Sequence, residues 1–197
     1  MKILVIGGDG FIGSHLVEVL IDQGFEVSVL GRFPYQRTKN LEALRGRVQL
    51  IHADIENIAL LKEPFSEHDL IYHLASASNP VLSWENVGSE LDHHIKPSLD
   101  IMALAAECGV SKFVFSSSGG TVSGPSHDPI PETARPAPFS PYGISKITIE
   151  YFLHHFASQS SLSYDIYRLS NVYGPRQKIT NRQGVIGTWL QQLRSGE

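Results

Sequence analysis

Gly7-Gly8-Asp9-Gly10-Phe11-Ile12-Gly13 decides how this chain folds. The stretch follows an aliphatic run, residues 2–6, that is continuous and ends on glycine, as a strand buried on both faces requires. It precedes residues 11–23, where Phe11, Ile12, Leu16, Val17, Leu20 and Ile21 fall on one helical stripe that Gly24 ends. A strand feeding a helix through such a turn makes three demands. One glycine allows the tight turn, one lets an anion approach the backbone, and one lets helix and strand pack closely. Two registers meet them: Gly8, Gly10 and Gly13 spell G-x-G-x-x-G, and Gly7, Gly10 and Gly13 spell G-x-x-G-x-x-G. In either, the free amides at the helix start, with the dipole behind them, attract phosphate charge. Strand, turn and helix together predict a site for the pyrophosphate of a dinucleotide.

Outward from this turn, short apolar runs alternate with longer amphipathic ones. Strands are expected over residues 26–30, 48–52, 69–74, 112–117 and 164–170, and helices over 91–108, 142–157 and 184–194. Pro97 should kink the first of these helices or mark its first turn, and Pro141 should open the second. A polar, proline-rich loop runs to residue 138. Strands alternating with helices imply an α/β fold with a doubly wound parallel sheet, the Rossmann arrangement, because parallel crossovers are right-handed.

Composition narrows the function classes. Of the 197 residues 42% are apolar, enough for a packed core, and 16 Lys plus Arg face 20 Asp plus Glu, a net charge of −4. That balance argues against a nucleic-acid partner. No apolar run has the length of a membrane span, and the run before Gly7 is too short for a secretory leader. The single cysteine, Cys108, fits a reducing compartment and reads as a small buried hydrophobe. A soluble cytoplasmic protein is expected. His93-His94 and His154-His155 are adjacent pairs whose helical side chains diverge by about 100°, so no metal site is expected. Tyr151, Phe152 and Phe156 read as core or as a helix-to-helix face of a homodimer.

Two regions carry the candidate chemistry. An acid is expected at the end of the second strand to accept from an adenosine ribose, but Gly31-Arg32 stands there. Loss of a carboxylate and gain of a guanidinium lean toward the 2′-phosphate of NADP over NAD. Asp54-Ile55, after the third strand, could meet the adenine, or Asp54 could cap the following short helix. Further on, Tyr142 and Lys146 stand at i and i+4, one turn apart on a helix face. An ammonium beside a phenol favours the phenolate, so Tyr142 is expected below its ordinary value of about 10 and usable as a general base. The strand before them ends in hydroxyls, Ser116-Ser117-Ser118, then Gly119-Gly120-Thr121. One of these could reach a substrate oxygen, because carboxyl ends of parallel strands face the cofactor crevice.

With these pieces in hand, the chain resembles the extended short-chain dehydrogenase/reductase family, in its nucleotide-sugar epimerase/dehydratase branch. The matching stretches are GGDGFIG, Ala53-Asp54, HLAS from His73, FVFSSSGGTVSG, SPYGISK, and RLSNVYGPRQ from Arg168. The resemblance implies a bound nicotinamide dinucleotide against Gly7, Gly10, Phe11, Ile12 and Gly13, with Leu74 and Ala75 beside its riboses. It implies Tyr142 as catalytic base and Lys146 as the residue that holds the nicotinamide ribose and tunes Tyr142. It implies a Ser or Thr that polarises the substrate hydroxyl. Ser118 is the nearest counterpart, with Ser117 and Thr121 as alternatives because of the extra glycine. Asn171 matches a residue that contacts the sugar-nucleotide diphosphate. His94 stands where an asparagine is usual and reads as a local polar contact, with Pro97 in place of a small residue. Relatives continue past Glu197, so residues 1–170 are expected to form the dinucleotide-binding domain and 171–197 the start of a truncated substrate-binding region, in which 183–193 could touch the nucleotide.

The activity so implied is a nucleotide-sugar 4-epimerase acting on a UDP-sugar, with transient oxidation at C4. A 4,6-dehydratase fits less well, because Gly119-Gly120 replace the acid pair that such chemistry needs after the hydroxyl. An NADPH-dependent ketone or keto-sugar reductase, and a dinucleotide-binding protein without turnover, are the alternatives.

Overall fold

The computed structural model describes residues 1–33, 39–76, 78–178 and 184–195. Among these residues six strands form one sheet: β1 (Lys2–Ile6), β2 (Glu26–Gly31), β3 (Gln49–His52), β4 (Leu70–His73), β5 (Lys112–Ser118) and β6 (Ser163–Leu169). Their spatial order is β3-β2-β1-β4-β5-β6 and every neighbouring pair is parallel. The chain therefore winds from β1 to one edge, returns, and winds from β4 to the other. The reversal between β1 and β4 opens a crevice at their carboxyl ends.

The central strands β1 and β4 are almost wholly apolar because both of their faces are covered, whereas the edge strands β3 and β6 carry polar and exposed residues. In β1, Leu4 and Ile6 enter one apolar cluster with Phe113, Phe115, Ile101 and Leu153, while Ile3 and Val5 enter a second with Val17, Leu20 and Val29. The α-helices among the described residues are α1 (Phe11–Asp22), α2 (Lys62–Ser66), α3 (Val87–Glu90), α4 (Lys96–Glu107), α5 (Gly119–Ser123), α6 (Pro141–Gln159) and α7 (Val185–Ser195). Helix α1 backs the second cluster, and α4 and α6 back the first. Residues 172–178 fold back over α1, where Arg176 Nη2 donates to Glu18 Oε2 at 2.7 Å and His15 Nε2 meets the Pro175 carbonyl at 3.1 Å.

One expected helix differs in form. Residues 91–108 do not begin at Pro97. Helical backbone runs from Val87 to Glu107, with a wide turn of π type at Leu91–Ile95. Pro97 has no N–H to give to the preceding turn, and widening that turn accommodates the loss. The segment after β5, read as loop, starts with the short α5. Tyr151 and Phe152 are exposed, so they are not core, whereas Phe156 packs against the first cluster. Among the described residues no helix is long and apolar enough to cross a membrane.

Candidate active site

The glycine turn is built from contacts that leave no room for side chains. Gly7 has φ +79°, and a Cβ there would lie 2.8 Å from the Ala75 nitrogen. At Gly13 a Cβ would lie 2.3 Å from the Gly7 carbonyl, so α1 starts against the turn itself. Gly8 faces Val29 and Val17 instead, which makes it a packing glycine. Gly10 caps α1 with no side-chain hydrogen bond. The first-turn amides of Phe11, Ile12 and Gly13 are thus left for an anion.

Above this turn lies a cleft of about 350 Å³ over the ends of β1, β2 and β4. Gly7, Gly10, Arg32, Asp54, Ile55, Leu74 and Ala75 all line it, together with Asp9, Glu56, Ser76, His93 and His94. These residues fit a dinucleotide: Gly7 and Gly10 line the cleft beside the open first-turn amides of α1. At the outer end Arg32 Nη1 lies 3.5 Å from Asp54 Oδ2, and Asp54 Oδ1 accepts from the Glu56 amide at 3.1 Å. Asp54 therefore pins its own turn while it lines the cleft. His93 Nδ1 meets Glu56 Oε1 at 2.8 Å beside it. Phe11 turns its ring edge to His15 and lies near Gly174.

At the inner end, His94 lines the cleft and its ring stacks on Tyr142, centroids 6.0 Å apart and planes 18° apart. Tyr142 opens α6 behind Ser140, whose Oγ accepts from the Gly143 amide at 3.1 Å, with Pro141 at the first helical position. Lys146 is 1% exposed. Its Nζ donates to the Ser116 carbonyl at 3.0 Å and lies 4.8 Å from the Phe115 ring centre and 5.4 Å from that of Tyr142.

This geometry corrects the expected electrostatics. Burial pushes Tyr142 up to about 12, with the Glu90 charge acting in the same direction. Burial lowers Lys146 to about 7, against the opposing pull of Glu90 and Glu150. The i, i+4 spacing does place the amine by the ring, but Nζ turns to a carbonyl, and desolvation outweighs the help an ammonium would give the phenolate.

Strand alternation separates the serines. Ser117 is buried and its Oγ donates to Glu150 Oε1 at 2.5 Å. Arg168 holds the same carboxylate, Nη2 to Oε2 at 2.6 Å and Nε to Oε1 at 3.1 Å. Ser117 is thereby committed to tying β5, α6 and β6 together. Ser118 is half-buried at the strand end, and its hydroxyl makes no hydrogen bond among the described residues. Thr121 Oγ1 is buried and unpaired. Its carbonyl lies where α6 is closest, because a Cβ on Gly143 would fall 2.2 Å from it. Asn171 is exposed just beyond β6. Of the stretch 183–193, Gln183 lies outside the described residues. Along α7, Ile186, Gly187, Leu190 and Gln191 face Tyr173, Gly174 and Gln177 across a smaller hollow. Sequence reading missed Glu90, Ser145 and the Glu150–Arg168 pair. Only the i, i+4 spacing of Glu90 and His94 hints at one of them.

A doubly wound parallel sheet, a glycine turn at its first crossover and a Tyr-x-x-x-Lys pair packed behind His94 at the inner end of the cleft define an extended short-chain dehydrogenase/reductase. Residues 3–197 match the NAD dependent epimerase/dehydratase family, and the chain belongs to it. The UDP-glucose 4-epimerase of Thermotoga maritima, solved with UDP-glucose, is 36% identical, with a TM-score of 0.90 over 100% of this chain and 64% of that one. The UDP-glucose 4-epimerase of Thermus thermophilus, solved with NAD, is 31% identical, with a TM-score of 0.90 over 100% of this chain and 63% of that one. The UDP-glucose 4-epimerase of Azospirillum brasilense is 32% identical over 178 residues, which are 88% of this chain and 49% of that protein. The chain thus spans about half to two-thirds of the length of these relatives.

Proposed function

We propose that this chain carries the dinucleotide-binding and proton-transfer part of a nucleotide-sugar 4-epimerase, with a UDP-sugar as substrate and NAD as cofactor. One observation carries the reading. The glycine-turn cleft reaches His94, whose ring stacks on Tyr142, and the Lys146 amine lies against that same phenol ring, so the two proposed proton carriers stand directly behind the end of the groove. Three relatives described as UDP-glucose 4-epimerases support the substrate class.

Gly7 and Gly10 and the amides of Phe11, Ile12 and Gly13 hold the pyrophosphate. Arg32, Asp54 and Ile55 meet the adenosine end, and Leu74 and Ala75 line the path between. When bound, the nicotinamide supplies the site that takes up and returns a hydride. The chain's own residues manage the proton. Tyr142 takes it from the sugar C4 hydroxyl as hydride leaves C4, and returns it after the keto sugar has presented its other face. Ser118 orients that hydroxyl, with Thr121 beside it, and Asn171 contacts the diphosphate. A lysine near pKa 7 exchanges its proton at working pH, so a charge on Lys146 can favour the phenolate when needed.

The choice of NAD rests on Asp54. Its carboxylate lines the cleft 3.5 Å from Arg32, where it draws on the guanidinium charge and would repel a 2′-phosphate. The NAD-bound Thermus relative supports the same choice. Adding NAD and UDP-glucose to the protein should produce reduced-nicotinamide absorbance and a C4-inverted sugar, and Tyr142→Phe should produce neither. Equal signals from wild type and variant would overturn the role of Tyr142. Net cofactor consumption would instead mark a reductase, tighter binding of NADP would reverse the cofactor assignment, and binding with no absorbance change would mark a protein without turnover.

A further inference from the structure

Beneath Tyr142 lies a polar cluster that this chemistry does not use. Glu90 ends α3, His94 sits in the wide turn and Ser145 precedes Lys146 on α6. They are 3%, 2% and 1% exposed. Glu90 Oε2 accepts from Ser145 Oγ at 2.7 Å and from His94 Nδ1 at 3.2 Å. Burial alone would favour the acid form of Glu90. Hydrogen bonding reverses that preference and holds the carboxyl at about 2.

His94 Nδ1 lies 3.2 Å from Glu90 Oε2 and 3.1 Å from Ser145 Oγ, and its Nε2 is buried and unpaired. Burial keeps this imidazole neutral below the usual histidine range, although Glu90 opposes the shift. A carboxylate bound by a neutral ring and a hydroxyl retains its whole negative charge. Among the described residues, the other titratable groups here are Lys146 on α6, His73 on β4, which burial keeps neutral, and Glu150, which Arg168 pairs. Glu90 is therefore the one buried anion among them without its own cation.

We propose that Glu90 is a positioning residue whose clamped carboxylate sets the proton occupancy of Tyr142 and Lys146. The charge adds to burial in keeping Tyr142 a phenol, and it opposes the effect of burial on the Lys146 ammonium. Tyr142 yields its proton only when positive charge in the cleft offsets Glu90. This rests on the reading of Tyr142 as proton acceptor, but its test needs neither cofactor nor turnover, so the two can fail separately.

The test is alkaline titration of phenolate absorbance, wild type minus Tyr142→Phe, which isolates Tyr142 from the rest of the seven tyrosines. Wild type should show no Tyr142 ionisation until well above pH 10, towards about 12. Glu90→Gln should lower the midpoint by about one unit, and Glu90→Asp, which keeps the charge, should restore it to within about 0.3 unit. Equal shifts in both variants, or none in Glu90→Gln, would overturn the proposal. If Glu90→Gln does not fold, Glu90→Met takes its place, and a Tyr142 midpoint in it equal to that of wild type refutes the proposal.

Discussion

Gly143 offers the sharpest test of the packing that holds Tyr142 in place. It lies in the first turn of α6, where alanine is ordinarily the better residue by about 0.8–1.0 kcal/mol. A methyl group there would fall 2.2 Å from the Thr121 carbonyl oxygen and 2.9 Å from its carbon. Both atoms belong to the backbone of α5, so no side-chain rotation relieves the overlap. Relief requires α5 and α6 to separate by about 1 Å, and overpacking of this kind costs about 1–3 kcal/mol. An overlap as deep as 2.2 Å puts the cost in the upper part of that range, about 2–3 kcal/mol, so that set against the propensity gain the net loss for Gly143→Ala is about 1–2 kcal/mol. At about 2–4 °C per kcal/mol for a domain of this size, the melting temperature should fall by about 2–8 °C. Gly120→Ala is the control, since a Cβ there meets nothing within 4 Å inside the same α5, and it should hold or gain stability. Thermal unfolding followed by circular dichroism reads both. If Gly143→Ala melts at or above wild type, the close approach of the two helices is not as described. The same displacement moves Tyr142 relative to Ser118, and a 1 Å misplacement should lower turnover about 10²-fold.

Two further outcomes follow from buried charges. Glu150→Gln removes the charge and one of the two acceptor oxygens that Arg168 and Ser117 share; because Arg168 is 28% exposed and can rehydrate, the loss should be about 2–3 kcal/mol in urea unfolding, at the low end for a broken buried pair. Lys146 gives an unusual pH dependence: with its folded value lowered to about 7 from 10.5, the unfolded chain binds the extra proton between those values, so stability should rise from pH 7 towards 10. Lys146→Met should abolish that rise, and a flat wild-type profile in denaturant titrations across this range would contradict the burial of the amine.

The sheet was legible because its inner strands are short apolar runs separated by amphipathic crossovers; Ile3 to Ile6 can satisfy two covered faces and nothing else. The cleft was legible because glycine is forced at Gly7 and Gly13 by backbone contact, and such compulsion shows in sequence. The Tyr142–Lys146 pair was legible as proximity but not as electrostatics. Spacing places two side chains on a face, whereas the direction of Nζ depends on the Ser116 carbonyl, 30 residues away in the chain. Ser117 could not be separated from Ser118 until the partner of each was known, and Glu150 lies 33 residues from Ser117. Pro97 was readable as a disturbance, but a proline can be absorbed by a kink, a boundary or a wider turn, and only packing selects among them.

The wide turn at Leu91–Ile95 amounts to one surplus residue stored in an otherwise regular rod. Removing it would rotate all that precedes it by about 100° relative to Ser98, Ile101 and Met102, which stay seated on the core. Glu90 would swing out of its pocket while the sheet and its glycines stood unchanged. A single-codon insertion or deletion could thus install or discard the hidden anion, so the proton affinity of Tyr142 can drift over evolution independently of the scaffold that carries the glycine turn.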